Sequence, residues 1–439
     1  TATTEIYTLS LHDALPKSKA TPAKKSTTKK VAISNKTKMD KAHLMSALRN
    51  MITARTTDSV HLGFVKQGKS FFHIGVSGHE CIQTAIGLRM REDDWGWTYY
   101  RDMAITYAKG MTKKEYFLLA FAKKDCPATG GRQMPGHFGN PRLNFPTQSS
   151  PTGTQFLSAT GTALAIQKEG GDQFVYVASG EGTTSQGEFY EAVNWANRAK
   201  LPVLFCIQDN KYAISVKKKD QTMGGDISDA FGKYENLKKI RVDGTDYIES
   251  SKAAEEAIEW MRAGKGPVLI HADVVRLLSH SSSDDQKKYR DKEDMDSEAK
   301  DKDCIKILSD YLIKNKVATQ KEIDKIWTDV KKELQEAADW ALEQEDPDPA
   351  DSIKENFADE STRDLAYATG EPTGENEAVL VDAINHALHE EMARNDKMVI
   401  YGEDIQDPKG GVFTATKGLT DKEGDRKSTR LNSVTVRSR

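Results

Sequence analysis

The sequence has few cysteines, little net charge and no long apolar segment. Its four cysteines are widely separated in 439 residues and form no paired metal-binding or redox spacing, which fits a reducing cytoplasm. No apolar run approaches the roughly 20 residues that a membrane-spanning helix needs. Although 29% of the residues are charged, the net charge is only −3, so the composition favours neither nucleic acid nor a membrane as a partner.

The two ends of the chain differ in composition from the rest. Residues 1–16 and 426–439 look like translated adapter sequence, so we expect neither to belong to the fold. Residues 17–38 are rich in Lys, Thr, Ser and Ala, so we expect a disordered basic tail over 1–38. A nucleic-acid-binding arm is the less favoured alternative, because no aromatic residue interrupts the basic run.

Helical spacing of apolar residues predicts several helices. The first two have core faces made of Leu44, Leu48, Met51 and Ile52, and of Ile82, Ala85, Ile86 and Met90. Others are predicted over 249–262, 304–314 and 321–344. In the second helix His79 and Glu80 lack the second His, four residues on, that a zinc motif requires, so we assign them no metal.

The stretch 180–210 predicts a strand, a turn, a helix and a second strand. The apolar runs 174–178 and 202–207 have the length and composition of buried strands. A Gly-Glu-Gly turn at 180–182 follows the first run, and Asp-Asn at 209–210 follows the second. Because the carboxyl ends of parallel strands meet at one edge of a sheet, where open α/β folds bind ligands, we expect these polar ends to lie close together.

Glu181 and Asn210 are candidates for a magnesium site. Mg²⁺ takes oxygen ligands, accepts one or two carboxylates from protein, and shares its remaining positions with phosphates and water. The two side chains and a nearby main-chain carbonyl would supply half of such a shell and leave the other half for a diphosphate. Taken alone, each motif is better explained as an ordinary turn or strand end, so the prediction depends on their occurring together.

Together the two motifs resemble the thiamin diphosphate signature, a Gly-Asp-Gly turn followed after a fixed interval by Asn-Asn. The chain departs from it at Glu181, where branched-chain relatives also have Glu, and at Asp209, which replaces the first Asn. It also has Gln208 where the family often has an Arg that contacts phosphate. On this resemblance Tyr212 supplies its main-chain carbonyl as the third magnesium ligand, and Thr183 contacts the cofactor.

The irregular region 130–155 is dense in Gly, Pro, Ser and Thr, and a loop of this length usually has a function. Its Gly-Arg-Gln-Met-Pro-x-His motif resembles branched-chain 2-oxo acid dehydrogenases more than pyruvate enzymes. That resemblance implies that His137 lines the substrate pocket, while Ser150 and Thr152 approach the aminopyrimidine. The alternative for His137 is a loop histidine bonded to backbone. The same resemblance implies a potassium site made of Ser149, Pro151, Thr154 and Gln155.

Two further segments carry the resemblance. Tyr100 and Arg101 are similar to the Tyr-Arg pair that holds the diphosphate in alpha subunits of 2-oxo acid dehydrogenases. His280 follows the predicted strand 267–275 in a polar loop, where a histidine is suited to acid–base chemistry. The loop resembles the His-Ser-Thr-Ser-Asp-Asp loop of branched-chain enzymes, in which this histidine contacts the cofactor and the next serine, here Ser281, is phosphorylated in some relatives.

The resemblance implies an α/β fold of the thiamin diphosphate-binding type, with a central parallel sheet flanked by helices. The alpha-subunit domain is expected over 39–345, an acidic linker over 346–376, and the start of a beta-subunit domain, a truncated second α/β domain, over 377–425. Such a chain would be an alpha–beta fusion cut off early. The glutamate that activates the cofactor belongs to the beta subunit beyond this point, so we expect the chain alone to be inactive.

The expected reaction is oxidative decarboxylation of a branched-chain 2-oxo acid, with acyl transfer to a lipoyl group. The alternatives are a pyruvate or acetoin dehydrogenase of the same family, a catalytically silent cofactor-binding fragment, and an unrelated doubly wound protein that binds another phosphorylated ligand. His280 and His137 are the predicted catalytic residues. The predicted cofactor-binding residues are Tyr100, Arg101, Ser150, Thr152, Gly180, Glu181, Gly182, Thr183, Asn210, Tyr212 and His280.

The expected cofactors are thiamin diphosphate and Mg²⁺, with K⁺ as a further candidate. The expected partners are a complete beta-subunit domain and the lipoyl-bearing acyltransferase component. An alpha2beta2-type assembly or a dimer of fusions would bring them together. Neither nucleic acid nor a membrane is expected as a partner.

Overall fold

The structure is a computed structural model in which the chain divides into two compact units, the first ending at Lys354. The predicted tails 1–38 and 426–439 lie outside the described residues, as does most of the linker 346–376. The described residues are 39–354, 379–395, 397–402, 405, 407–411 and 413–419.

The first unit combines helices with a parallel sheet. Its helices are α1 (Lys41–Lys66), α2 (Glu80–Gly87), α3 (Met103–Ala108), α4 (Lys113–Ala120), α5 (Gln155–Lys168), α6 (Gly187–Ala199), α7 (Lys218–Gln221), α8 (Tyr247–Arg262), α9 (Lys292–Asp301), α10 (Cys304–Lys314) and α11 (Gln320–Leu342). Its strands are β1 (Trp95–Trp97), β2 (Val175–Gly180), β3 (Val203–Asp209), β4 (Tyr212–Ala213), β5 (Val216–Lys217), β6 (Lys238–Asp243) and β7 (Val268–Asp273). Short 3₁₀ turns lie at Pro141–Leu143, Glu181–Ser185, Met223–Gly225, Ile227–Phe231, Gln286–Lys288 and Pro349–Ile353.

Local sequence signals account for several helix boundaries. Thr112 and Thr319 form capping boxes with Glu115 and Glu322, so that α4 and α11 each begin with two backbone N–H groups satisfied. The helices α8, α10 and α11 lie within two residues of their predicted bounds. The second helix is shorter than its apolar pattern predicts, because α2 ends at Gly87.

Five strands form one parallel sheet in the order β1-β2-β3-β7-β6. The predicted central parallel sheet flanked by helices is therefore confirmed. In the register of β2 with β3, Gly180 lies beside Gln208, so the Gly-Glu-Gly turn and the Asp-Asn pair emerge at the same edge. The short strands β4 and β5 form a separate antiparallel hairpin after β3.

The central strand β3 is buried along its whole length, which explains its continuous apolar run. Alternate residues of neighbouring β2 belong to two different cores. Tyr176 and Ala178 pack in the core that contains α1 to α4, α8, α10 and α11. Val175 and Val177 pack in the smaller core with α5 and α6. The sheet thus lies between two helical layers, and its carboxyl edge is positioned from both sides.

The second unit is described only in part. Its helix α12 (Leu380–Arg394) has one side chain, Asn385, that donates hydrogen bonds to the carbonyls of Ala415 and Lys417. Because the residues around it are partly outside the described ranges, the α/β character of the predicted 377–425 domain stays a prediction. Across the described residues of both units, none of the helices has the length and apolar content needed to cross a membrane.

Candidate cofactor-binding site

A cavity of about 280 Å³ lies at the carboxyl edge of the sheet, beyond the ends of β2 and β3. Every predicted cofactor-binding residue except Ser150 contributes to its wall. The lining residues are Tyr99, Tyr100, Arg101, Thr152, Gly180, Glu181, Gly182, Thr183, Gln186, Asn210, Tyr212, Ala213, Ile214 and His280. Segments that are far apart in sequence therefore converge on one site.

Glu181 is a buried carboxylate, and only one of its two oxygens forms a hydrogen bond to the described residues. It begins the 3₁₀ turn after β2, and its Oε2 accepts a hydrogen bond from the N–H of Asn210 at 3.3 Å. Its Oε1 is buried and has no hydrogen-bond partner among the described residues. Burial, and then the nearby carboxylate of Asp209, raise the pKa of Glu181 to about 7. Because an unpaired buried carboxylate oxygen is costly, a bound cation would stabilise this arrangement.

Asn210 faces the cavity from the end of β3. Its amide oxygen accepts a hydrogen bond from the N–H of Tyr212 at 3.2 Å, and its amide nitrogen donates to Nε2 of His79 at 3.2 Å. A carboxylate, an amide oxygen and a nearby main-chain carbonyl are the ligand types that suit Mg²⁺. The residues present therefore fit a magnesium ion that shares its remaining positions with a diphosphate.

Gly182 is required by a close backbone approach. A Cβ atom at this position would lie 2.6 Å from the Cβ of Ala213, which belongs to the β4–β5 hairpin. The hairpin itself turns through Ile214, whose φ is +56°. The absence of a side chain at 182 thus allows the hairpin to cover the Gly-Glu-Gly turn and to close one side of the cavity.

Arg101 and His280 also line the cavity. The guanidinium of Arg101 is 2% exposed and donates to the carbonyl of Gly75 at 2.6 Å. It also donates to Nδ1 and to the carbonyl of His280, both at 3.0 Å. Burial, and then Arg101 and Arg276, lower the pKa of His280 to about 4. His280 is therefore neutral near pH 7, with its proton on Nε2, because Nδ1 accepts from the arginine.

His137 lies apart from the cavity wall. Its Nδ1 donates to the carbonyl of Met134 at 2.8 Å, and its Nε2 accepts from the hydroxyl of Ser150 at 2.8 Å. The backbone bond matches the alternative interpretation of a loop histidine, while the Ser150 bond joins the two predicted residues. Ser150 is exposed and does not line the cavity, whereas Thr152 does.

The four residues of the predicted potassium site lie close together in sequence, with Gln155 at the first position of α5 and the other three in the segment before it. The hydroxyl of Thr154 donates to the carbonyl of Pro151 at 3.0 Å, and Ser149 is exposed. The side chain of Gln155 is buried, with its oxygen accepting from the N–H of Gly153 at 2.9 Å and its nitrogen donating to a carbonyl of β2 at 3.1 Å. The amide of Gln155 therefore already has partners, and the site stays a prediction.

Asp209 has a role that the motif did not indicate. It is buried beside Asn210, and its Oδ2 lies 2.8 Å from Nε2 of His271 on β7 and 2.5 Å from the ammonium of Lys218. Its Oδ1 accepts from the N–H of Lys211 at 2.9 Å. Asp209 therefore holds the segment after β3 at both ends, and it does not line the cavity.

Arg276 was not among the site residues predicted from the sequence. It follows β7 and is 2% exposed, with one nitrogen donating to the carbonyl of Ile214 at 3.0 Å and another to the hydroxyl of Tyr289 at 2.7 Å. Its Nε has no hydrogen-bond partner in the part of the chain that the structure describes. Its position four residues before His280, in the same loop, is the feature of the sequence that could have identified it as a site residue. A second buried guanidinium near the cavity favours an anionic ligand.

Comparison with known proteins is consistent with this site. A family model described as "Dehydrogenase E1 component" matches residues 48–350. The 2-oxoisovalerate dehydrogenase subunit alpha of Bacillus subtilis is 41% identical over 265 residues, 60% of this chain and 80% of that protein. The mitochondrial 2-oxoisovalerate dehydrogenase subunit alpha of Dictyostelium discoideum is 31% identical over 276 residues, 62% of each chain. The mitochondrial pyruvate dehydrogenase E1 component subunit alpha of the same organism is 28% identical over 312 residues, 70% of this chain and 81% of that protein.

The family model spans more than half of the chain and includes every residue of the cavity wall. The interpretation as an unrelated doubly wound protein is therefore wrong, and the chain belongs to the dehydrogenase E1 component family.

Proposed function

We propose that this chain is the alpha-type part of a thiamin diphosphate-dependent dehydrogenase that decarboxylates a branched-chain 2-oxo acid of the 3-methyl-2-oxobutanoate type. The acyl unit then passes to a lipoyl group. The observation that carries the proposal is the buried Oε1 of Glu181, which has no hydrogen-bond partner among the described residues and lies at a cavity that Asn210 and Tyr212 also line. When bound, thiamin diphosphate supplies the electron sink for decarboxylation.

The residues of the cavity have separate roles in this proposal. Glu181, the amide oxygen of Asn210 and the carbonyl of Tyr212 hold Mg²⁺, and the glycines at 180 and 182 let a diphosphate approach the backbone. Arg101 supplies positive charge at the diphosphate end. His280, neutral and protonated on Nε2, is positioned to donate a hydrogen bond to the substrate.

The branched-chain substrate is supported by the Gly-Arg-Gln-Met-Pro-x-His motif ending at His137 and by the relative from Bacillus subtilis, which is 41% identical. A pyruvate dehydrogenase is the main competing assignment, since the chain is also 28% identical to a pyruvate enzyme subunit. An acetoin dehydrogenase and a catalytically silent cofactor-binding fragment are further candidates.

The proposal includes partners. A complete beta-type domain would supply further active-site residues, and a lipoyl-bearing acyltransferase component would accept the product. The alpha–beta fusion over 377–425 and the potassium site at Ser149, Pro151, Thr154 and Gln155 are also part of the proposal. A cytoplasmic location is supported by four cysteines that are all buried and free.

Calorimetry with thiamin diphosphate, in the presence and absence of Mg²⁺, tests the site. We expect binding that requires Mg²⁺ and is lost in Glu181→Ala, while Glu259→Ala, an exposed position on α8, leaves it unchanged. Failure of the unaltered chain to bind would overturn the proposal.

The substrate is tested separately, by comparing rates on pyruvate and on 3-methyl-2-oxobutanoate with a complete beta-type partner and a lipoyl domain present. A higher rate on the branched acid supports the assignment. Binding without turnover of either acid would indicate the silent fragment.

A further inference from the structure

His79 is a buried histidine that contacts Asn210, one of the candidate metal ligands. It directly precedes α2, is 0% exposed, and does not line the cavity. Its Nδ1 lies 3.0 Å from Oε1 of Gln208, and its Nε2 lies 3.2 Å from Nδ2 of Asn210. The hydroxyl of Tyr99 is 3.4 Å from the same Nδ1. His79 thus bridges two positions at the end of β3 that are two residues apart.

The chemistry of the two amides sets the proton of this histidine. An amide nitrogen can only donate, so Nε2 of His79 must accept from Asn210. An amide oxygen can only accept, so Nδ1 must carry the hydrogen that is donated to Gln208. The ring is then a neutral tautomer with one donor and one acceptor.

The orientation of Gln208 is itself fixed by the backbone. Gln83 accepts from the N–H of Ala104 with its oxygen at 3.0 Å, so its nitrogen must point away and donates to Oε1 of Gln208 at 2.9 Å. The nitrogen of Gln208 donates to Oδ1 of Asp102 at 2.8 Å. Since a backbone N–H cannot be reversed, the direction of every later bond in the series follows from it.

We propose that His79 is a positioning residue that holds the amide nitrogen of Asn210 and thereby directs the amide oxygen toward the magnesium ion. This rests on the proposed magnesium and thiamin diphosphate site. Residue 208 has a matching role, because only a hydrogen-bond acceptor there can receive the Nδ1 proton. The Arg that the family often has at this position has donors only, so it could not set this tautomer.

The inference is tested by Mg²⁺-dependent thiamin diphosphate binding of two variants. His79→Leu removes both hydrogen bonds, and we expect it to weaken binding about tenfold, as is typical when a side chain that orients a metal ligand is lost. His79→Gln carries a donor and an acceptor, and we expect it to retain most of the affinity. Thermal unfolding of the metal-free variants checks that each one folds. Equal affinity of His79→Leu and the unaltered chain would overturn the proposal.

A double-variant cycle separates orientation from packing. Asn210→Asp keeps an oxygen ligand but removes the Nδ2 donor. In that background, adding His79→Leu should weaken binding by less than about a further twofold. If His79→Leu costs as much there as in the unaltered chain, it acts through packing and the proposal is wrong.

A measurement on the metal-free protein depends neither on activity nor on cofactor binding. Nitrogen-15 histidine spectra of the unaltered chain should show a neutral His79 protonated on Nδ1, assigned by its absence in His79→Gln. The opposite tautomer would overturn the inference while leaving the proposed function untouched. Conversely, no cofactor binding by the unaltered chain would overturn the proposed function first, and the inference with it.

Discussion

The guanidinium of Arg101 donates to both Nδ1 and the carbonyl of His280, with both distances 3.0 Å. A permanent cation therefore lies against a histidine that we expect to contact substrate. Because like charges repel, this contact opposes protonation of the ring, and it fixes which nitrogen keeps the hydrogen.

The stability of the chain should fall at mildly acidic pH because of His280. The pKa of His280 is lowered from 6.5 to about 4 by burial and then by Arg101 and Arg276, so between these values the unfolded chain binds more protons than the folded chain. The contribution of His280 to the free energy of unfolding is therefore fully present above pH 6.5 and is lost as the pH falls toward 4. We expect His280→Gln to lose less stability than the unaltered chain between pH 7 and 5, measured by urea unfolding. Parallel losses in both proteins would contradict this.

Glu181→Gln should stabilise the metal-free chain at alkaline pH and abolish cofactor binding. The pKa of Glu181 is raised from 4.5 to about 7, so ionisation favours the unfolded state, and stability falls as pH rises through this range. Since one pKa unit corresponds to about 1.4 kcal/mol, the neutral glutamine could gain about 3 kcal/mol at pH 8.

The gain should fall below about 1 kcal/mol at pH 5, where Glu181 is protonated in the folded metal-free chain while the unfolded chain is still partly ionised. Urea unfolding at the two pH values measures the difference, and calorimetry measures the loss of Mg²⁺-dependent binding. A variant that gains no stability at pH 8, or that still binds with Mg²⁺, would sink this prediction.

Asp209→Asn should destabilise the chain strongly. The carboxylate is 2.5 Å from the ammonium of Lys218 and 2.8 Å from Nε2 of His271, and its removal leaves a half-buried cation without its partner. Breaking such a pair typically costs about 3 kcal/mol or more. As a control, Asp329→Asn breaks an ion pair with Lys325 on the surface of α11 and should cost less than about 1 kcal/mol. Similar losses in both variants, measured by urea unfolding, would refute the role of Asp209.

Gly182→Ala should weaken cofactor binding by displacing the β4–β5 hairpin. The added Cβ would meet the Cβ of Ala213 at 2.6 Å, and overpacking of this kind costs roughly 1–3 kcal/mol, or roughly five- to 150-fold in affinity. Adding Ala213→Gly removes the atom that is met first, so the double variant should recover part of the loss in calorimetry. No recovery would mean that backbone approach at 182, and not the contact with Ala213, limits binding.

The main elements of the fold could be predicted because their burial patterns are regular. The runs 174–178 and 202–207 each begin one residue before β2 and β3 and cover most of these strands, where both faces are covered and most residues are apolar. The apolar residues at helical spacing in the second helix continue to Met90, although α2 ends at Gly87. They do so because Met90 still packs against the same core. An apolar residue at helical spacing therefore marks burial, and the helix need not extend to it.

Most of the cavity wall could be predicted because its residues occur at fixed offsets in motifs that resemble those of the family; Tyr99, Gln186, Ala213 and Ile214 were not predicted. What the sequence did not indicate is which way the polar groups point. His79 meets Gln208 across 129 positions, and Asp209 meets His271 across 62. The direction of each amide depends on partners that only the folded chain brings together, so Gln208 and Asp209 could be noted as departures but not given a role.

The contacts made by residues 208–210 limit which substitutions relatives in this family can accept at these positions. Gln208 is tied to His79 on one side of the sheet and Asp209 to His271 on the other, while Asn210 after them faces the cavity. A single replacement in either pair leaves its partner with a mismatched donor or acceptor. Relatives with a donor-only residue at 208 should therefore differ at 79 as well, and those with Asn at 209 should differ at 271. The two pairs would be inherited as units.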